Sequence, residues 1–441
     1  MSVCQTPLSN SSSSKSQRLF EDEQQFIAPG IQNIALLSKL TIDRGEGPRL
    51  IDMDGKSYLD FNAGVSVASL GYNHPKYQAD LKAQIDKLTV STFTSVARLK
   101  LLKLLAGITP EGLNRIQLFS GGAEAVEAAL RLARSYTKKD HVVGFWGGYH
   151  GKTKGVLALS EVDWKHEVGP LPMGFHQAPY PDFYLNALPG ESAETMMARC
   201  LDHLKKQLNA EVKGQVAAVI MEPIQGTSGN IVPPKGWVKE VCEIAHQAGA
   251  LFIADEMITG FGRTGHLFGV NYDSAIPDIM TCGKGFGNGF PVTAVIAKDE
   301  IAKAEPWSKP SAASSSYGGN PLASAAALSS VSIIRDENLT ENSAKVGAVL
   351  LKEAQKLEEK YPFVMNARGR GLMVGFDLVK DKKTKQLADK EFCKKIFLEG
   401  IARGFIAMTY TPRARLHPPL IITESDAKEA GSILDEVFSK L

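Results

Sequence analysis

The sequence predicts an α/β fold in which helices cover both faces of a mostly parallel sheet. Two observations carry this prediction. In the middle of the chain, strand-like runs alternate with helical periodicities. The runs are apolar at nearly every position, as in strands buried on both faces. They cover residues 115–119, 141–145, 216–221 and 250–254. One helical pattern covers residues 123–136, and another begins at Val238 and ends at Gly249, a residue type common just after helices.

Each strand-like run is followed by glycines or polar residues. Residues 120–123 and 147–152 follow the first two runs, Glu222 follows the third and Asp255 the fourth. In sheets of this kind, ligands bind outside the carboxyl ends of the strands. We therefore expect these segments to meet at one edge of the sheet and to form the site of an enzyme.

The flanking segments have different patterns. Residues 49–60 predict a β-hairpin that turns at Asp54 and Gly55, and the last hundred or so residues predict a smaller α+β lobe. We expect a disordered tail at 1–18, an N-terminal segment at 19–75, a large domain at 76–328 and a small domain at 329–441. The Ser-rich start has no apolar region typical of a secretory signal, and a transit peptide is the alternative to a frayed tail.

The composition excludes several classes of function. The 441 residues include 50 Lys and Arg against 48 Asp and Glu, a net charge of +2 and no basic excess for binding nucleic acid. No apolar run approaches the roughly 18 residues of a membrane span. The sequence contains neither an HExxH motif nor a His/Cys cluster, so we expect no zinc site. Five scattered cysteines predict reduced thiols in a cytosol-like compartment: Cys4, Cys200, Cys242, Cys282 and Cys393.

Lys284 and Asp255 are the candidate catalytic groups. Lys284 lies among four glycines in CGKGFGNG, which would let a bulky ligand approach a buried amine of lowered pKa, the usual Schiff-base former. A surface lysine is the alternative. Asp255 could hold a proton on a heteroaromatic nitrogen at the base of a pocket, or could cap a helix. We expect the neighbouring Glu256 to be structural.

Three further segments are candidate ligand-binding elements. Residues 121–123 open a helix, whose free N–H groups and dipole suit a phosphate. Residues 314–321 are either a surface loop or a second source of phosphate donors. Arg415 suits a bidentate carboxylate clamp, or a salt bridge to a distant acid. Residues 151–153 fail as a P-loop, because Trp146 stands where that motif requires glycine.

Nine motifs together resemble those of the class III aminotransferases, the ω-amino branch of the fold-type-I pyridoxal-phosphate enzymes. They run from about Phe26 to the C-terminus in the order of the family: FNAGVSVASLGYNHP, FSGGAEAVEAALRLAR, GGYHGKT, MEPIQG, ADEMITGFGRTG, CGKGFGNGFPV, SSYGGNPLA, ARGRGLMVGF and RLHPPLIIT. The resemblance implies a large cofactor domain, a smaller lobe formed by the C-terminal part and the N-terminal segment, bound pyridoxal 5'-phosphate, and a homodimer with shared active sites.

The resemblance also implies roles for individual residues. Lys284 would form the Schiff base and shuttle the proton, and Asp255 would keep the pyridine nitrogen protonated. Tyr149 would stack on the ring, and Ser316, where the family usually has Thr, would reach the phosphate of the neighbouring subunit. The residues expected at the cofactor are Gly121, Gly122, Ala123, Tyr149, His150, Glu222, Asp255, Ile258, Lys284 and Ser316.

The substrate-binding residues implied by the resemblance are Arg415, Lys152 and Val65. Arg415 would bind an α-carboxylate such as that of 2-oxoglutarate or glutamate. Many members with 4-aminobutyrate-like activity have Arg at the position of Lys152 and Glu at that of Thr227. Lysine cannot make the two-pronged contact of arginine, which favours an amine, diamine or amino aldehyde as the donor.

We therefore predict an aminotransferase that moves an amino group from an ω-amino acid, amine or diamine to 2-oxoglutarate or pyruvate in two half-reactions. One alternative is a related enzyme of the same fold: a racemase or epimerase, decarboxylase, aminomutase or phospholyase. Another is a non-catalytic protein that has kept the fold. We expect a cytoplasmic location and neither nucleic-acid nor membrane partners.

Overall fold

The computed structural model describes residues 14–441. The strands are β1 (Ile42–Glu46), β2 (Arg49–Asp52), β3 (Ser57–Asp60), β4 (Leu113–Phe119), β5 (His141–Phe145), β6 (Phe175–Ala178), β7 (Val216–Met221), β8 (Leu251–Glu256), β9 (Ile279–Cys282), β10 (Thr293–Lys298), β11 (Val364–Arg370), β12 (Met373–Asp381), β13 (Gln386–Leu387), β14 (Phe405–Ile406) and β15 (Arg413–Leu416).

The helices are α1 (Lys15–Glu23), α2 (Asn33–Ser38), the single turn α3 (Ala63–Ser66), α4 (Pro75–Ile85), α5 (Val96–Ile108), α6 (Gly122–Thr137), α7 (Lys154–Leu157), α8 (Phe183–Asn186), α9 (Ala193–Lys206), α10 (Trp237–Gln247), α11 (Asp299–Ala302), α12 (Pro321–Asp336), α13 (Leu339–Lys360), α14 (Lys390–Ala402) and α15 (Glu424–Phe438). A π-helical turn covers Gln207–Glu211, and 3₁₀ turns cover Gly269–Asp273 and Lys284–Phe286.

A seven-stranded sheet in the order β4-β10-β9-β8-β7-β5-β6 forms the core. Neighbouring strands from β9 to β6 are parallel, whereas β10 is antiparallel to both β9 and β4. Because β4 opposes β10, it points the same way as the parallel strands. Ala218 and Ile220 of β7 pack in the cluster that contains α6, while Val219 and Met221 pack in the cluster that contains α10. The predicted α/β fold is therefore confirmed.

Two smaller sheets flank the core. The predicted hairpin is confirmed, since β2 and β3 are antiparallel on either side of Asp54 and Gly55, and β14 from the C-terminal part adds to β3 in parallel. In the other sheet, β12 pairs with β11, β13 and β15, which places Arg415 opposite Gly375. The domain boundaries stay a prediction, and the one at 328/329 falls inside α12.

The predicted disordered tail requires a correction at its end. Residues 1–13 lie outside the described part of the chain, but Lys15 begins α1, so residues 15–18 are helical. The Ser14 hydroxyl accepts a hydrogen bond from the Gln17 N–H, and the Asp54 carboxylate accepts from the N–H groups of Lys15 and Ser16. These caps on the first turn explain why the helix starts earlier than its composition suggests.

Four of the five cysteines lie in the described part of the chain, where they are buried and unpaired: Cys200, Cys242, Cys282 and Cys393. Cys4 lies outside it. Between residues 14 and 441, no three His, Cys, Asp or Glu side chains are grouped as a metal site would need. Over the same residues, no helix has both the length and the apolar character required to cross a bilayer.

Candidate active site

The segments that follow β5, β7 and β8 meet at one edge of the large sheet, as predicted. The N–H of Tyr149 donates to Oε1 of Glu222 at 2.9 Å, and Nδ1 of His150 lies 2.6 Å from Oδ2 of Asp255. Gly151 has a φ of +129°, and a Cβ there would lie 2.5 Å from that of Ala123 at the start of α6. Glycine therefore allows this loop to approach the helix.

Asp255 is a buried carboxylate near the end of β8, and it does not cap a helix. It is 2% exposed, and its Oδ1 accepts from the Thr281 hydroxyl at 3.2 Å and the Met257 N–H at 3.1 Å. Burial disfavours a charge on His150, but the hydrogen bond and the negative charge of Asp255 outweigh it and raise the pKa of His150. The contact with His150 therefore holds the Asp255 carboxylate in one orientation.

Glu256 points into a different environment. Its side chain accepts from the N–H groups of Gly269 and Val270, both at 2.8 Å, and from the Thr259 hydroxyl. The carboxylate is fully buried and holds the following segment in place. The expectation that Glu256 is structural is confirmed.

Lys284 follows β9 and lies at the same edge. Its side chain makes no hydrogen bond or ion pair with any residue from 14 to 441, and its φ is +46°. Lys284 as a whole is half-buried, but its amine is buried, and this burial lowers its pKa. The positive charge of Arg415 lowers the pKa further, whereas the negative charges of Asp255 and Glu222 raise it. A Cβ on Gly283 would lie 2.6 Å from the Met257 sulfur, so the loop needs glycine there.

Glu222 is a second buried carboxylate of this site. It accepts from the N–H groups of Tyr149 and of Gly226, the latter at 3.0 Å. Burial raises the pKa of Glu222 from 4.5 to about 7, the His150 charge and the two N–H groups oppose this shift, and the Asp255 charge adds to it. Protonation at Glu222 is thus sensitive to pH near neutrality.

The raised pKa of Glu222 predicts a pH-dependent stability. Between pH 4.5 and 7 the folded chain retains a proton that the unfolded chain has released, so this group favours folding less as the pH rises. We expect the free energy of unfolding of Glu222→Gln to rise relative to that of wild type between pH 5 and pH 8, by about 2.5 kcal/mol. Tm values of cofactor-free protein at both pH values test this. The prediction is wrong if the difference in Tm between the two proteins does not change with pH.

The N-terminus of α6 offers two free N–H groups. Those of Gly122 and Ala123 have no acceptor in the part of the chain described, as is usual for a first helical turn. The N–H of Gly121 instead donates to Oε2 of Glu124 at 3.3 Å. Of the three N–H groups predicted to bind a phosphate, two are therefore free.

Arg415 is a buried cation without an acidic partner. It is 9% exposed, its Nε has no hydrogen-bond partner, and its guanidinium forms no ion pair among residues 14–441. The alternative of a structural salt bridge is therefore wrong. Burial lowers the pKa of Arg415, and Tyr410 and Glu222 oppose that shift. A buried guanidinium left unpaired is suited to receive a carboxylate.

The remaining predicted residues differ in their exposure. Ile258 is buried against Ile224 and Met373. Lys152 and Ser316 are exposed and have no polar side-chain contact with the described chain. Val65 is half-buried in α3, where all four residues have positive φ.

Sequence reasoning missed three polar residues near the site. Thr281 donates to Asp255 from the neighbouring strand, and a hydroxyl in the otherwise apolar run of β9 was a usable signal. Arg263 is 1% exposed and donates to the carbonyls of Leu372 and Pro418. His417 is fully buried and lies close enough to Lys284 and Arg415 to feel their charges. Nothing local in the sequence distinguished these last two.

The residues at this edge fit pyridoxal phosphate. An amine of lowered pKa without a polar partner suits an aldehyde, two free N–H groups at a helix start suit a phosphate, and a buried carboxylate suits a protonated ring nitrogen. These are the functional groups of that cofactor, and the chain presents a counterpart for each.

Comparison with known proteins agrees with this chemistry. The family model described as aminotransferase class-III matches residues 32–438. A probable 4-aminobutyrate aminotransferase of Bacillus subtilis is 31% identical over 94% of this chain and 96% of its own. Isoleucine 2-epimerase of Lentilactobacillus buchneri is 32% identical over 96% of this chain and 95% of its own.

The crystal structure of an amine transaminase from an uncultivated Pseudomonas species, in its PLP-bound form, superposes with a TM-score of 0.88. It is 32% identical and covers 94% of this chain and 98% of its own. Both the sequence and the fold thus match transaminases over nearly their full length. The chain belongs to the class-III aminotransferases, pyridoxal-phosphate-dependent enzymes that transfer an amino group from a donor to a keto acid.

Proposed function

We propose that Lys284 holds the cofactor covalently and, once released, moves the proton during transfer of the amino group. The cofactor, when bound, supplies the electron sink that makes the donor's C–H bond acidic. The lowered pKa of Lys284 supports its part, because a neutral amine is both a nucleophile and a base. Its lack of a polar partner leaves it free to perform both steps.

Asp255 would keep the ring nitrogen protonated. Its Oδ1 accepts from the Thr281 hydroxyl and its Oδ2 lies 2.6 Å from Nδ1 of His150, and these contacts fix the orientation of the carboxylate. Tyr149, Glu222 and Ile258 would line the cofactor around it. Gly122 and Ala123 would bind the phosphate through their N–H groups, and Gly121 would contribute to the shape of the loop.

Ser316 would complete the phosphate site from a second copy of the chain. It is exposed and has no polar partner among residues 14–441 of its own subunit. Next to it lies an exposed apolar surface consisting of Val90, Phe93, Val96, Leu99 and Tyr317, which are between 47% and 80% exposed. The two segments adjoin, since the Leu322 N–H donates to the Thr89 carbonyl. A patch of this kind favours a homodimer.

We expect Phe93→Asp to weaken the dimer and to lower activity with it, because a charge in an apolar interface is costly and Ser316 would be withdrawn from the partner's site. Light scattering after size exclusion gives the mass, and the transamination rate gives the activity. Leu398→Asp, at a 39% exposed position on α14, is the control and should change neither. A wild-type protein that is monomeric and active would refute the shared site.

The acceptor would be 2-oxoglutarate or pyruvate, with Arg415 on its α-carboxylate. The donor would be an ω-amino acid, amine or diamine, with Lys152 and Val65 on the substrate side. The unpaired guanidinium of Arg415 is the single observation that carries the choice of a carboxylate substrate. A panel of amines and ω-amino acids, each assayed with both keto acids, tests the proposal, and product formation that needs no keto acid would favour the epimerase activity of a relative.

We expect Arg415→Gln to raise the KM of the keto acid by roughly 100-fold, because two charge-assisted hydrogen bonds are lost. The half-reaction with a donor that has no carboxylate should keep its rate. Arg49→Gln is the matched control, since Arg49 is already paired with Glu429 at 2.7 Å near the surface. An equal loss in both half-reactions would argue against a carboxylate-binding role.

A further inference from the structure

Ser66, His417 and Asn230 form a buried chain of hydrogen bonds beside the proposed carboxylate site. Nδ1 of His417 lies 2.5 Å from Oγ of Ser66, and its Nε2 lies 2.7 Å from Oδ1 of Asn230. Ser66 is 2% exposed, and the other two side chains are fully buried. None of the three has a part in the proposed chemistry.

The donors and acceptors of these hydrogen bonds can be assigned in only one way. Nδ2 of Asn230 donates to the carbonyl of Val374 at 2.7 Å, so its Oδ1 is the acceptor that faces His417. His417 must then donate from Nε2–H, and its Nδ1 presents a lone pair that accepts the hydroxyl proton of Ser66. Burial and the charges of Arg263, Arg415 and Lys284 hold the pKa of His417 well below its ordinary value, which keeps this neutral form.

These hydrogen bonds join two segments that border the site. His417 lies two residues beyond Arg415, just after β15, and its N–H donates to the Phe61 carbonyl at 2.8 Å. Ser66 is the last residue of α3, whose positive φ values include +63° at the β-branched Val65. Residues with a Cβ rarely adopt this conformation, so surrounding contacts must hold it. The bond from Ser66 to His417 is such a contact.

The same segment also approaches Lys284. The side chain of Ser69 leaves no room for a Cβ on Gly285, and the Ser69 carbonyl accepts from the Leu420 N–H at 2.7 Å. Residues 61–69 thus lie between the loop of Lys284 and the segment that follows Arg415. Because Nε of Arg415 has no hydrogen bond with the described residues, the orientation of this side chain depends on how these neighbours pack.

We propose that Ser66 and His417 are positioning residues for the acceptor carboxylate. Their hydrogen bond holds the 63–66 turn against the end of β15 and so restricts where the Arg415 guanidinium can lie. This inference rests on the proposed carboxylate role of Arg415. It adds a specificity element that acts more strongly on the keto-acid half-reaction than on the donor half-reaction.

Two histidine variants separate the two hydrogen bonds in the holoenzyme. The side-chain oxygen of Asn in His417→Asn can replace Nδ1 and keep the Ser66 bond. The amide of Gln in His417→Gln reaches the position of Nε2 and keeps the Asn230 bond only. We expect Ser66→Ala and His417→Gln each to raise the KM of the keto acid by roughly 3- to 10-fold, the worth of one hydrogen bond, with kcat unchanged. His417→Asn should stay close to wild type.

The double variant Ser66→Ala/His417→Gln should be no worse than either single variant, because one shared bond is lost. Ser329→Ala is the matched control. The buried hydroxyl of Ser329, on α12, donates to Asp80 of α4 at 2.6 Å, and its loss should lower Tm without changing KM.

The inference is overturned if Ser66→Ala and His417→Gln slow both half-reactions equally, if they change only Tm, or if His417→Asn is as impaired as His417→Gln. Arg415→Gln distinguishes this failure from that of the proposed function. If Arg415→Gln raises the KM of the keto acid and Ser66→Ala does not, only the positioning role is wrong. If Arg415→Gln leaves the KM of the keto acid unchanged, the proposed carboxylate-binding role of Arg415 is wrong.

Discussion

Lys284→Ala should lower the rate of amino transfer by about 10⁴-fold or more, since it removes both the covalent attachment point and the base. The cofactor should still enter, because the helix start of α6 and Asp255 are unchanged. Lys284→Arg should be equally inactive, although it retains the positive charge, because a guanidinium stays protonated. The measurement is the initial rate with a saturating amine and keto acid.

A chemical readout accompanies the rate. After borohydride reduction, peptide mass mapping should find the mass of the cofactor on the peptide that contains Lys284 in wild type and on no peptide of the variant. Lys154→Ala, an exposed lysine near the site, is the control and should be active and labelled like wild type. A Lys284→Ala protein that turns over at a rate close to wild type would show that another residue performs this role.

Asp255→Asn should lower kcat by roughly 10²- to 10³-fold, because the neutral amide no longer favours a protonated ring nitrogen at the base of the site. The change is nearly isosteric, and the side-chain oxygen can still accept from Thr281 and Met257. The loss should therefore fall on catalysis more than on folding. Steady-state kcat, with Tm measured in parallel, separates the two.

Asp273→Asn is the matched control for the loss of a buried carboxylate. Asp273 accepts from the N–H groups of Gly236 at 2.9 Å and Val238 at 3.0 Å at the start of α10. We expect this variant to lower Tm and to keep kcat. Equal effects of the two substitutions on kcat would mean that Asp255 acts only through the fold.

Sequence patterns predicted the elements that depend on local chemistry. The apolar runs identified β5 and β7 to the residue, because strands buried on both faces leave no choice of side chain. Gly249, with a φ of +67°, ends α10 as its position indicated. The antiparallel direction of β10 had no such signal, since a run that is apolar on both faces reads the same in either direction.

The site was predictable where one strand end or one loop carries the chemistry. The candidate residues Asp255 and Lys284 were found in this way. The contact between Ser66 and His417 spans 351 positions of the chain, so no local periodicity could indicate it. That no acid among residues 14–441 pairs with Arg415 could likewise be seen only in the fold, because any of the 48 acidic residues in the sequence could have paired with it.

A single-turnover experiment tests the transaminase assignment most directly. Holoenzyme mixed with an excess of amine donor and no keto acid should release one equivalent of aldehyde or ketone per active site and then stop. Adding 2-oxoglutarate or pyruvate should restart product release, because the amino group must leave the enzyme before a second donor can react. Continuous conversion of the donor without any keto acid would contradict the assignment.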